Sequence, residues 1–181
     1  ANVIEGVLKL STLTADGKEQ ILGLAYPSDF LGRPFGQTTP YGVEALTETQ
    51  VCVFQRTDFD RFSREHPKLA HKLLERNLTE LDRTRRWMLL LGRMNAEQKL
   101  ATFLLETTER LAPASCSFVP NDGPQTIELP LSRQQIADVL GLTIETVSRQ
   151  FTKMKNDGLI NISGRREVTV LRPKELAARA S

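Results

Sequence analysis

The spacing of apolar positions changes twice along the chain. From Val3 it runs "VIEGVLKLSTL", β-branched and alternating, the pattern of a strand with one buried face. "TADGKEQ" supplies an Asp-Gly turn and "ILGLAY" a return strand, which predicts a hairpin. "YPSDFLGRPFGQTTPYG" is rich in Gly and Pro and reads as loops, and "VEALTETQVCVFQR" adds a further pair of short strands. Several short strands within about sixty residues predict a sandwich or roll.

The period then becomes helical. Thr57 with Asp60 reads as an N-cap pair for a short helix, and Pro67 opens a much longer one. In the long helix Leu74, Leu78, Leu81, Arg85 and Met88 recur at alternating steps of four and three, an a/d seam. A core helix with one broad apolar face is the alternative; the length, the narrow seam and its basic flanks favour a dimer helix. Leu73, Leu89 and Leu90 lie off the seam and are expected to face the β domain. "NAEQKLATFLLETTERLA" is a separate amphipathic helix capped by Asn95, "PASCSFVPNDGPQ" is a loop, and "TIELPLSRQQ" leads through a short strand into the last domain.

There Ser132 with Gln135 forms a capping box for "RQQIADVL", and Gly141 ends that helix. Thr143 caps a second helix, "IETVSRQFTKMKN", stopped by Asp157-Gly158. Two short helices joined by a tight turn with Gly make the helix-turn-helix pattern. Ile136, Leu140, Leu142, Val147 and Phe151 are placed to close a small core, with Ala137 where the helices cross. An ordinary αα-hairpin would need none of these agreements. "LINISGRREVTVL" then reads as two strands around a Gly-Arg-Arg turn. That makes either a wing, with Arg165 and Arg166 near a nucleic-acid backbone, or a solvated turn.

Charge sharpens this picture. The net is only +2, yet residues 131–181 carry nine basic and five acidic side chains, and residues 61–100 ten and five, against four and eight in residues 1–60. A basic C-terminal segment fits a nucleic-acid partner or, equally, a solvated face. A recognition helix lays its N-terminal residues on base edges, and here those are Glu145, Ser148 and Arg149 on one face. Arg149 suits a bidentate contact to guanine; Glu145 suits the cytosine amino group, or holds Arg149 from one turn away; Ser148 reaches a neighbouring base. Thr143 belongs to the same surface, and Lys153, Lys155 and Arg133 are assigned to phosphates.

Other chemistry is excluded or thin. There is no Ser-His-Asp set, no phosphate-cradling Gly loop and no clustered acid pair, so no enzyme is expected. His66 and His71 share no metal-site spacing with the two cysteines, Cys52 and Cys116. Two cysteines are too few for a secreted disulfide scaffold, no signal peptide is visible, and no apolar run reaches the ~18 residues of a membrane helix. A cytoplasmic protein without membrane contact is expected. The chain lacks an initiator Met and opens inside a strand pattern, so it is expected to be an N-terminally truncated piece.

From "VIEGVLKL" and "DGKEQILGLAYPSDFLG" to "LSRQQIADVLGLTIETVSR", nearly the whole chain resembles the Crp/Fnr family of bacterial transcription regulators. The Glu-x-x-Ser-Arg of its second short helix is most similar to the Fnr and FixK branch. The resemblance implies an α+β fold. Residues 1–66 would be an N-terminal β-roll sensor of the cyclic-nucleotide-binding, jelly-roll type, missing its first part. Residues 67–94 would be the dimerisation helix and 95–181 a winged helix-turn-helix. It implies a homodimer that binds double-stranded DNA at an inverted repeat like TTGAT-N4-ATCAA through Glu145, Ser148 and Arg149, and that contacts RNA polymerase.

It also bears on the signal. Cyclic-nucleotide members hold the ligand phosphate with a Gly-Glu and an Arg-Ser pair. "FLGRPFGQTTPYGVEAL" has neither, only Arg33, so no cyclic nucleotide is expected. Fnr-type members hold a 4Fe–4S cluster with three N-terminal cysteines and one in the roll. Cys52 matches that fourth ligand, and the other three would lie upstream of Ala1. Oxygen sensing is therefore expected of the full-length protein and no cluster of this piece. A FixK-type regulator without a cluster is the alternative, with Cys52 then a small buried hydrophobe. Cys116 matches nothing in the pattern. Arg85 would approach its twin in a symmetric dimer. Either this keeps the apo protein near a monomer–dimer balance, or Glu80 and Asp82 neutralise the arginines.

Overall fold

A computed structural model describes residues 1–17, 19–33, 38–111 and 123–180. The β region is built from β1 (Asn2–Glu5), β2 (Leu8–Leu13), β3 (Glu19–Ala25), β4 (Gly42–Ala45) and β5 (Gln50–Cys52). The Asp-Gly turn closes the β2–β3 hairpin, with Gly17 N–H donating to Thr14 O at 2.9 Å.

The sequence pattern "VIEGVLKLSTL", expected as one strand, is two strands in different sheets. β1 pairs with β5, while β2 lies between β3 and β4. Both segments change sheet together at a corner, where Val7 N–H donates to Thr47 Oγ1 at 2.9 Å and Leu46 N–H to Val7 O at 2.8 Å. Gly6 makes the corner possible. Its φ is +88°, and a Cβ would run into the Glu48 carbonyl and Thr49.

α1 (Arg56–Glu65) starts earlier than Thr57 predicted. Gln55 (φ −67°, ψ 135°) is the last extended residue and lends its carbonyl to Phe59 N–H, and Thr57 is already helical. α2 (Pro67–Arg93) does open on Pro67 and runs 27 residues. Its inner side carries half-buried Leu69, Leu73, Arg83 and Trp87 and fully buried Leu90. Leu89, expected to face inward, is 55% exposed, because it lies about 100° round the helix from Leu90. Among the described residues no helix is long and apolar enough to cross a membrane.

α3 (Ala96–Leu111) begins with a reciprocal cap: Asn95 Oδ1 accepts from Glu97 and Gln98 N–H, and Asn95 N–H donates to Gln98 Oε1. After it come β6 (Gln125–Glu128), α4 (Arg133–Leu140), α5 (Ile144–Asn156), β7 (Ile160–Ile162), β8 (Glu167–Val170) and α6 (Pro173–Ala180). The largest apolar core joins Leu90 with α3, α4, α5, the β6-β8-β7 sheet and Leu176 of α6. Ile21 of β3 enters this core too, so the β region and the C-terminal helices share packing. The second cluster is small: Val3, Leu8 and Ala25, with Leu31. The fold is α+β, with an N-terminal β domain, a long helix and a C-terminal winged helix-turn-helix.

Candidate nucleic-acid interface

The helix-turn-helix is set by local chemistry. Ser132 Oγ accepts from Gln135 N–H at 3.2 Å while Gln135 Oε1 accepts from Ser132 N–H at 2.9 Å, closing the box at the start of α4. Gly141 ends the helix in the left-handed region at φ 61°, and Leu142 N–H donates back to Ala137 O at 2.9 Å. Thr143 Oγ1 accepts from Thr146 N–H at 3.3 Å and starts α5. Val147, Phe151 and Met154 then point inward against Ile136, Ala137 and Leu140, all buried. With that face fixed, Glu145, Ser148, Arg149, Thr152 and Lys155 are held in solvent. They form a polar face on a helix whose ends and back are fully specified.

Individual placements refine the expected contacts. The Glu145 carboxyl is held below the usual carboxylate range by its own backbone N–H and by the Thr143 side chain. Arg149 remains exposed. Arg133, assigned to phosphate, has its guanidinium 3.2 Å from the Phe151 ring centroid, and its Nη1 is buried without a hydrogen-bond partner among the described residues. Burial pushes its pKa down to about 10. Arg133 is thus half-buried against the Phe151 ring, not extended freely into solvent. Lys153 has a partner within the protein: its ammonium is paired to Glu97 at the start of α3. Arg165 and Arg166 stand exposed on the turn between β7 and β8, beyond the Ile162↔Val168 pair. β6 covers the other side of β8, completing a three-stranded wing.

Residues 98–179 match the family profile of a Crp-like helix-turn-helix domain, and residues 1–66 that of a cyclic nucleotide-binding domain. The transcriptional activator protein FnrL of Cereibacter sphaeroides is 44% identical over 170 residues, covering 94% of this chain and 68% of that protein. The chain belongs to the Crp/Fnr family. The nitrogen fixation regulation protein FixK of Bradyrhizobium diazoefficiens is likewise 44% identical, over 89% of this chain and 65% of its own length. The solved structure of FixK2 from Bradyrhizobium japonicum superposes with a TM-score of 0.86 at 32% identity, covering 99% of this chain and 86% of that one. As a Crp/Fnr member with an intact helix-turn-helix, the chain is a DNA-binding transcription regulator and not an enzyme.

Two further surfaces of this Crp/Fnr chain carry sequence-predicted residues. Along α2, Leu74, Leu78, Leu81 and Met88 are 43–69% exposed, and Arg85 lies among them, paired with Asp82 at 3.2 Å. Arg83 turns inward to Glu80 and Asp29. Cys52 ends β5 opposite Asn2 and is exposed, so the buried-hydrophobe alternative does not hold. It opens on an apolar groove with Ile4, Phe30, Val53, Phe54 and Phe62. Among the described residues no group of three or more His, Cys, Asp or Glu side chains converges on it. Cys116 lies outside the described residues.

Sequence reasoning missed the tertiary supports. Lys99, only 8% exposed, donates from Nζ to Leu140 O at 3.1 Å and so caps α4 from α3. The signal was a lysine at the buried side of "EQKLATFLL". At the junction with the β domain, Asp29 is gripped by Arg110 and Arg83, Arg76 donates to Ser28 O, and buried Tyr26 reaches Thr107 at 3.5 Å. Burial pushes the Tyr26 phenol up to about 12.

Proposed function

We propose that the chain belongs to an oxygen-responsive Crp/Fnr regulator that binds an inverted repeat like TTGAT-N4-ATCAA as a homodimer. The observation that carries the DNA reading is the solvent-held triad Glu145, Ser148 and Arg149 on a capped helix with a fully packed back. The exposed leucine seam of α2 supports the homodimer: four large apolar side chains at seam spacing are more than an isolated soluble helix leaves uncovered. The similarity to FnrL, a transcriptional activator, supports contact with RNA polymerase.

The cluster reading rests on Cys52. Its exposed thiol fits one iron of a 4Fe–4S cluster; no ligand cluster surrounds it among the described residues, and the resemblance assigns the other three thiolates to positions upstream of Ala1. When bound, such a cluster supplies the oxygen-sensitive chemistry; this chain's part is to present Cys52 at a strand end beside α1. Without Gly-Glu and Arg-Ser pairs, the roll is assigned no cyclic nucleotide. The similarity to FixK2 favours a second reading, a FixK-type regulator with the same DNA preference and no cluster.

Arg149→Ala is expected to cost ~1–3 kcal/mol on the repeat and to relax choice at one base pair. Titrations on repeat and random duplex check this, and equal weakening on both contradicts the assignment. Anaerobic iron–sulfide reconstitution of the full-length protein separates the two sensing readings. A visible band that bleaches in air and is lost in Cys52→Ser supports the oxygen sensor. Absence of the band with DNA binding intact supports the FixK type.

A further inference from the structure

Helix α5 carries three basic side chains, Arg149, Lys153 and Lys155, and they are not equivalent. Successive residues turn about 100° around a helix, so Lys153 sits one turn below Arg149 and about 40° towards the flank that faces α3. On that flank its ammonium donates to Glu97, the second residue of α3. Glu97 also accepts from Arg179 in the last turn of α6, and Arg179 reaches Asp157, the C-cap of α5, at 3.3 Å. One carboxylate, 18% exposed, thus joins three helices. Hydrogen bonds from Lys153 and then Arg179 hold its carboxyl below the ordinary range despite partial burial.

An isolated surface pair between long side chains contributes little to stability. This one has another consequence. Phosphate contacts fix register but carry no sequence information. A free ammonium one turn from Arg149 would attract the backbone of any duplex and dilute the discrimination made by the triad. Glu97 removes that charge from the DNA-facing side. Through Arg179 and Asp157 it also fixes the angle at which α5 stands on α3.

We infer that Glu97 is a specificity-determining positioning residue, which keeps Lys153 off the DNA backbone and sets the recognition helix. The inference rests on α5 being the base-reading helix. It acts through Lys153 and α5, not through contact with bases.

The test uses the whole protein, with titrations on the inverted-repeat duplex and on a random duplex across a range of salt. In Glu97→Gln, the slope of log affinity against log salt on random duplex steepens by about 0.9 for each lysine released. Random-duplex affinity at low salt rises about threefold or more, so the repeat-to-random ratio falls. Glu97→Asp restores most of the ratio, and adding Lys153→Met to Glu97→Gln returns the slope to wild type. Lys153→Met alone leaves the slope unchanged, since that charge is already neutralised. A slope that drops in Lys153→Met shows the lysine on phosphate in the wild type and overturns the inference, even if Glu97→Gln fails to fold. So does a Glu97→Gln variant that weakens both duplexes equally at unchanged slope, the result of a merely structural role. A wild type with no preference for the repeat overturns the reading of α5 instead, and the random-duplex slopes still decide where Lys153 is held.

Discussion

Gly141 shows how a single residue sets the site. It sits at φ 61°, ψ 44°, with open space around the position of a Cβ. Gly141→Ala therefore meets no clash and loses only the left-handed preference, about 1 kcal/mol after the unfolded-state gain. A urea midpoint shift of that size at unchanged m-value checks it; a much larger loss means that the turn is packed against something. Residues of this kind were legible in the sequence. Ser132, Gln135, Gly141 and Thr143 act on groups within three or four residues, and helical angle alone put Glu145, Ser148 and Arg149 together. Arg133 and Lys153 were not legible, because what holds them comes from elsewhere in the fold: the Phe151 ring and, 56 residues away, Glu97. Without tertiary structure, both were simply cations near a recognition helix.

At the scale of elements, α2 has two faces with different duties. Leu90 and Trp87 pack within the protomer, while Leu74, Leu78, Leu81 and Met88 stand outside its core among the described residues. If the proposed homodimer forms along this seam, Leu78→Glu leaves protomer stability within about 0.5 kcal/mol, as surface changes do, yet converts the sedimenting species to monomer. An unchanged sedimentation coefficient removes the seam from the proposed dimer interface. The periodicity revealed this helix and its seam, since both follow from a repeat of three and four. It did not reveal that "VIEGVLKLSTL" crosses between sheets. Alternation looks the same on either side of Gly6, and the corner is specified by a partner segment about 40 residues on, at Leu46–Thr49. The neutralisation of Arg85 is likewise a matter of geometry: Asp82 reaches it at i,i+3, a pairing that the sequence permitted but did not choose.

At the scale of the whole molecule, the β region and the DNA-binding helices meet at a partly polar junction. A cavity of about 110 Å³ lies between β3, α2, α3 and α4, and Glu106 lines it. Burial raises the Glu106 carboxyl above the ordinary value, against the opposing pull of Arg83, Arg110 and Arg86. A carboxyl whose folded pKa exceeds its unfolded one binds more protons when folded, so its contribution favours the fold at acid pH and is lost as pH rises through the raised value. Glu106→Gln is therefore expected to melt above wild type near pH ~7 and to converge with it near pH ~4. An offset that is constant with pH contradicts this account. None of the junction was legible in the sequence, because Tyr26, Asp29, Glu106 and Arg110 come together only once the roll has docked. The same docking puts Ile21 of β3 into the core that holds α4 and α5. Anyone grafting the reader of one relative onto the sensor of another at the break between α2 and α3 would thus cut through shared packing. Such chimaeras should work best when Ile21 and Leu24 travel with Val139, so that the inherited unit is the contact and not the stretch of sequence.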